Sequence, residues 1–297
     1  MLYLKRNEID INKWDECVRQ SPDGNPYFLS WYLDIVNPNW EALIEKDYSV
    51  IMPLPAKSKM GINYLIQPVL TKELGVIGKN IVSQEKVNLF FKEVSSKFRY
   101  INFYVNKNNH LPPELLNNEN GVTYTLVLND KVSQLEKRFS ENHRRNLKKI
   151  ATYNLKWEFS KDCSSFVDFV FRNSKIYRNL SFFDVLVEEI IKRDTGYIQF
   201  ARNNEETIIS AVLWLHFKNK HIYLISASNK EGFENKASFF LIYEYMKHFE
   251  NTGDIIDFEG SKIKGLARFY SGFGSVCESF PLFKSNRLIW PIRLIKS

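Results

Sequence analysis

Asp257 and Glu259 stand two residues apart in Ile255-Ile256-Asp257-Phe258-Glu259-Gly260-Ser261, where apolar and acidic side chains alternate and then run into a glycine. A period of two predicts a short strand ending at a turn, with both carboxylates on one face. Two carboxylates in one desolvated place raise each other's proton affinity, and a carboxyl so raised can act as a general base toward an amine. Downstream, Ile263, Leu266 and Ala267 at helical spacing predict one or two turns of helix, and Gly272 and Gly274 bracket Phe273 in a tight loop. Arg268 and Tyr270 fall on that short helix, and Tyr270 is a candidate proton donor to a leaving group. The same stretch also fits an ordinary strand, turn and helix with solvated acids.

The elements that must position these residues come in a repeated order. In the second half, residues 197–201, 207–217 and 221–227 read as strands, 237–249 as a helix and 254–258 as a strand. In the first half, 40–46, 48–57 and 63–68 read as strands. Residues 84–98 follow as a helix with Val87, Phe90, Phe91, Val94 and Phe98 on one face, and 100–105 as a strand. This duplicated order predicts an α/β chain of two units, each a mixed, mostly antiparallel sheet flanked by helices. Residues 107–121, rich in Asn and carrying Pro112 and Pro113, mark the boundary and divide the chain into 1–118 and 119–297. A strand over 121–128 opens the second unit. One helix over 131–153 is expected next, capped by Asp130 and buried along Val132, Leu135, Phe139, Leu147 and Ile150. Its outer face is basic through Arg144, Arg145, Lys148 and Lys149, which suits either the helix dipole or an anion. Helices over 164–176 and 183–192 follow.

Composition narrows the class. With 44% hydrophobic and 25% charged residues in 297, the chain can build a proper core in each unit. No run of about eighteen apolar residues and no basic-then-apolar leader is present, so a cytoplasmic protein without membrane insertion is expected. Cys17, Cys163 and Cys277 are widely spaced and the five histidines lack ligand spacing, so neither disulfides nor a metal is expected. The net charge of +7 suits a phosphate-bearing partner, but no nucleic-acid-binding motif is present.

Asp257-Phe258-Glu259-Gly260-Ser261, followed by Gly265-Leu266-Ala267-Arg268-Phe269-Tyr270-Ser271-Gly272-Phe273-Gly274, resembles the C-terminal signature of Fem-type peptidyltransferases and their relatives in the acyl-CoA N-acyltransferase (GNAT) superfamily. Two further stretches are similar to that family: the aromatic opening from Pro26 to Leu33, and Asn142-His143-Arg144-Arg145-Asn146-Leu147-Lys148-Lys149-Ile150. The resemblance implies two tandem GNAT-like units and transfer of an acyl or aminoacyl group onto an amine. It further implies Glu259 or Asp257 as base, with Arg268 and Ser261 close to the acceptor. Arg178, between the two helices after the basic one, matches a substrate-facing arginine of the family, and Lys175 would share its face.

The resemblance has gaps as well. GNAT enzymes hold the pyrophosphate of coenzyme A in an R/Q-x-x-G-x-G/A loop after the third strand. Here that segment is Ser228-Asn229-Lys230-Glu231-Gly232-Phe233-Glu234-Asn235-Lys236-Ala237, with one glycine. Asn229, Lys230, Gly232 and Lys236 are its candidate phosphate contacts. Fem-type proteins also lack the loop and use aminoacyl-tRNA, but tend to carry a lysine where this chain has Tyr270. No permanently bound cofactor is expected; an acyl-CoA or an aminoacyl-tRNA would be a co-substrate. The acceptor would be an amino acid, an amino sugar or a cell-wall precursor. The alternative is a non-catalytic module that binds an anionic ligand or partner through Arg144, Arg145, Lys148 and Lys149.

Overall fold

A computed structural model describes residues 1–59, 61–115, 119–260 and 262–288. They form two units: Met1–Gly121 joined by the C-terminal segment that begins at Ser279, and Val122–Glu278.

The first unit begins with β1 (Leu2–Lys5), α1 (Ile11–Gln20), α2 (Ser30–Val36), β2 (Glu41–Ile44) and β3 (Val50–Leu54). It continues with β4 (Ala56–Lys59), β5 (Ile62–Ile66), β6 (Ile77–Gly78), α3 (Gln84–Lys97) and β7 (Tyr100–Tyr104). Asp10 starts α1 by accepting the Asn12 and Lys13 N–H groups, and the helix buries Trp14, Cys17 and Val18. The single strand expected over 48–57 is split. Pro55 has no N–H to continue the ladder, so β3 ends before it in one sheet, ordered β1-β2-β3-β6, and β4 starts after it in another. In that second sheet β4 and β5 form an antiparallel hairpin, and β5 runs parallel to β7.

The second unit contains β8 (Asn120–Val127), α4 (Val132–Leu135), α5 (Glu141–Ile150), β9 (Lys156–Ser160), α6 (Cys163–Asn173), α7 (Phe183–Lys192) and β10 (Gly196–Arg202). After these come β11 (Ile208–Phe217), β12 (Lys220–Ser228), α8 (Lys230–Glu234), α9 (Ala237–His248), β13 (Ile255–Asp257) and α10 (Lys264–Ser271). The sheet order is β8-β13-β12-β11-β10-β9, antiparallel except that β12 and β13 are parallel. The apolar helix α9 packs on β10, β11 and β12. There Tyr245 stacks on Trp214 with ring centroids 3.7 Å apart.

Two expectations change. The last strand, β14 (Val276–Asn286), would lie with the second unit if the chain were cut once near 118, yet Leu282 to Asn286 pair antiparallel with β7 and complete the first unit's sheet. The single helix expected over 131–153 is broken at Phe139 and Ser140. Phe139 turns to extended backbone, the Ser140 N–H donates to the Gly272 carbonyl (2.9 Å), and the Ser140 Oγ caps α5 by accepting the His143 N–H. Asp130 is no cap either. The Val132 N–H donates to Glu250 (2.6 Å), while Asp130 pairs with Arg138 (3.0 Å).

Candidate functional site

The parallel pairing of β12 with β13 covers Lys220 to Ile222 opposite Ile255 to Asp257 and then stops. Both strands contribute to the stop. In β12 the register with β11 slips so that Trp214 faces Tyr223 and Leu213 faces Ile225, a bulge that leaves Leu224 over and re-aims its neighbours. On the other side, β13 gives way to the left-handed residues Glu259 (φ 64°) and Gly260 (φ 77°). A Cβ on Gly260 would sit 1.7 Å from the Val122 carbonyl oxygen, so this turn demands glycine. Among the described residues no strand flanks β12 on the β13 side from Tyr223 to Ser228, and an opening results.

Glu259, Tyr223 and Tyr177 are all close enough to Tyr270 to act on its ionisation. Tyr270 is buried, stacked on Phe258 at 5.2 Å and edge-on to Tyr223 at 6.2 Å. Burial, and then the neighbouring charges of Tyr223, Tyr177 and Glu259, push the Tyr270 hydroxyl well above its usual range. Burial likewise moves Tyr223 up to about 12, with the hydroxyls of Ser226 and Ser238 acting the other way. Both phenols therefore remain O–H donors at neutral pH. The Ser228 hydroxyl bridges those of Ser210 and Ser238 at 2.8 Å each, so a row of hydroxyls lies beside Tyr223. Desolvation raises the Glu259 carboxyl to about 8 although part of the residue meets solvent, so the burial that matters is that of the carboxyl group.

The two acids do not share a strand face as their spacing predicted. Strand β13 ends at Asp257, and the left-handed backbone of Glu259 turns its side chain away from the strand's alternation. Asp257 is buried and shapes this turn: its Oδ1 accepts the Thr123 hydroxyl (2.5 Å) and the Glu259 N–H (2.9 Å). Burial, not the neighbouring acid, raises Glu259.

The other candidates are dispersed. Arg178 caps the end of α6, donating its Nε to the Phe171 carbonyl and Nη2 to that of Arg172 (3.4 Å). Lys175 lies in the link after α6, so helical spacing does not pair it with Arg178. In the segment after β12 the Asn229 side chain caps α8 by accepting the Gly232 N–H (2.8 Å), and Gly232 packs on the Ile209 backbone, where a Cβ would meet the carbonyl oxygen at 2.1 Å. Lys230 opens α8, and left-handed Lys236 donates to the Phe233 carbonyl (3.4 Å). These contacts close the segment on itself. Ser261 lies outside the described residues. Arg268 is exposed and lines a separate cleft of about 540 Å³ with Ser140, Asn142, His143 and Arg145.

Sequence reasoning missed Tyr177, Tyr223 and His143. Tyr223 carries no local signal, because its value comes from a bulge. His143 could have been found, since it falls at helical spacing between Phe139 and Leu147 on the buried stripe.

Among the described residues no group of three His, Cys, Asp or Glu is placed to hold a metal, and no helix is long and apolar enough to cross a membrane. No protein-family model and no curated protein matches the sequence. Solved structures do match the fold. FemX aligns over 100% of both chains with a TM-score of 0.67 at 13% identity. A tandem GNAT protein from the clavulanic acid biosynthesis pathway aligns over 97% of this chain and 99% of its own, with a TM-score of 0.54 at 9% identity. L-PGS from Bacillus licheniformis aligns over 86% and 87%, with a TM-score of 0.53 at 10% identity. With its helix-flanked mixed sheets in two units of like strand order, the chain has the tandem fold of the Fem-type and GNAT transferases.

Proposed function

We propose that the chain is an N-acyltransferase or N-aminoacyltransferase whose reaction takes place where β12 parts from β13. One observation carries this reading: a carboxyl raised to about 8, Glu259, stands with two buried phenols, Tyr270 and Tyr223, at an opening in the sheet. A carboxylate with that proton affinity takes the proton of an incoming ammonium far more readily than an ordinary one. The freed amine then attacks the acyl carbonyl, forming the C–N bond, and the phenol O–H groups donate to the oxyanion. The C–S or C–O bond of the donor breaks, and Tyr270 can pass a proton to the departing atom. Asp257 orients Glu259 through its backbone N–H.

The donor is an acyl thioester or an aminoacyl ester, and the acceptor an amine on an amino acid, an amino sugar or a peptidoglycan precursor. The fold shared with FemX, L-PGS and a tandem GNAT protein supports this range. The uncovered edge of β12 supports it too, because such an edge can pair with an extended amide-bearing chain. Mass spectrometry of amine pools incubated with acetyl-CoA, longer acyl-CoAs or aminoacyl-tRNA is the test. Product from one donor class, lost in Glu259→Gln, is expected; no product from either class, or product that survives the substitution, overturns the reading.

A further inference from the structure

The cleft between the start of α5 and α10 is built differently from the Glu259 opening. Arg145 and Arg268 both line it, both are exposed, and neither has a carboxylate partner among the described residues. The Ser140, Asn142 and Ser271 side chains add neutral polar groups, and the first turn of the ten-residue helix α5 contributes its N-terminal dipole. A helix start and two arginines alone describe much ordinary surface.

The floor adds a separate feature. The His143 ring lines the cleft and is 2% exposed. It is fixed between Gly272, where a Cβ would come within 2.2 Å of Cε1, and the rings of Phe239, Phe269 and Phe273, with centroids 5.1, 5.5 and 4.5 Å away. Ser140 Oγ accepts the His143 N–H and lies 3.2 Å from Nδ1. With its one proton given to Nδ1, the serine leaves the ring proton on Nε2. That Nε2 has no hydrogen-bond partner; the Phe269 backbone is near enough to favour the protonated ring slightly without making the bond. A buried donor without an acceptor is costly, and a ligand oxygen would satisfy it.

We propose that this cleft binds a phosphate group, held between the Arg145 and Arg268 guanidiniums over the first turn of α5, with the His143 Nε2–H beneath it. Guanidiniums suit the role because their planar fork matches phosphate oxygens. Glu141 also lines the cleft, is exposed, and opposes an anion. The site is independent of the transferase reading, and its test needs no turnover.

Inorganic pyrophosphate and ADP, each titrated calorimetrically into the full chain, provide the two arms. Saturable binding of one equivalent is expected. Arg145→Ala and Arg268→Ala should each weaken it about tenfold or more, the loss of one charge-assisted hydrogen bond. His143→Phe, which keeps a ring and removes the donor, should weaken it as well, and Glu141→Gln should strengthen it. Lys148→Ala with Lys149→Ala, on the same basic helix but outside the cleft, should leave it unchanged. Equal affinity for both ligands assigns the site to the phosphate group itself, and tighter ADP assigns it to a nucleotide. Absence of saturable binding at millimolar ligand, full affinity in the Arg145→Ala/Arg268→Ala double variant, or an equal loss in the lysine variant overturns the proposal.

Discussion

The two units share a strand order and differ in what fills the place where two parallel strands part. In the first, β5 pairs with β7 only through Leu65 and Ile66, but the gap is closed at once. The Tyr104 N–H donates to the Gln67 Oε1 (2.7 Å), the Gln67 Nε2 donates to the Thr71 carbonyl (2.5 Å), and Leu74 resumes parallel pairing with Val105. In the second, β13 ends instead, and the opening beside β12 receives a carboxyl and a group of phenols. One topology thus yields a sealed sheet where a glutamine side chain replaces a missing strand, and a reactive cleft where a left-handed turn ends one. Fold and function separate at this point: the strand order is common to both units, and only the second places titratable groups where a substrate could reach them.

The sharpest way to break this comparison is to remove the carboxyl from one unit and the glutamine from the other. Glu259→Gln should lower transfer by about two to four orders of magnitude, as expected when a general base is lost, with the fold retained. Activity of the purified variant against its best donor is the readout. Gln67→Ala should leave transfer unchanged and cost about 1–3 kcal/mol in urea unfolding, because the Tyr104 N–H loses its acceptor.

Between these in effect on stability stands a pair of glycines. Gly260→Ala combines φ 77° with a 1.7 Å approach to the Val122 carbonyl and should cost about 3 kcal/mol or more. Gly61→Ala, at φ 75° with nothing within 4 Å, should cost only about 1 kcal/mol. Equal penalties would show that the turn after β13 is not sterically defined.

The smallest effect is one of pH. The Glu259 carboxyl is raised from 4.5 to about 8, so between those values the folded chain holds a proton that the unfolded chain has released. Its contribution to stability is therefore full below pH 4.5 and is lost as pH rises toward 8. Thermal melts of Glu259→Gln should show a weaker decline over that window than the parent chain, and a parallel decline would place the titration elsewhere.

How far the sequence reveals this depends on the range of the interactions. Hairpins, amphipathic helices and the short strand before Glu259 are set by local period, and they read correctly. The break at Phe139 and Ser140 is hidden because the apolar stripe continues through it; only the distant Gly272 carbonyl shows why the backbone turns. Strand β14 reads as a strand wherever it pairs, so nothing local names β7 as its partner. Asp257 and Glu259 look equivalent in alternating sequence, and a left-handed backbone, which glutamate seldom adopts, makes one a hydrogen-bond anchor and the other a raised carboxyl. Tyr177, Tyr223 and Tyr270 meet from three distant segments, a convergence that no spacing rule contains.

The central claim is that Glu259 has a base's proton affinity because the opening beside β12 desolvates it. Carbon-13 NMR titration of the glutamate side-chain carboxyls, in the parent chain and in Glu259→Gln, measures this without any substrate. The account predicts one carboxyl that titrates near 8 and disappears in the variant. A parent spectrum in which every glutamate titrates in the ordinary range near 4 to 5 would contradict it.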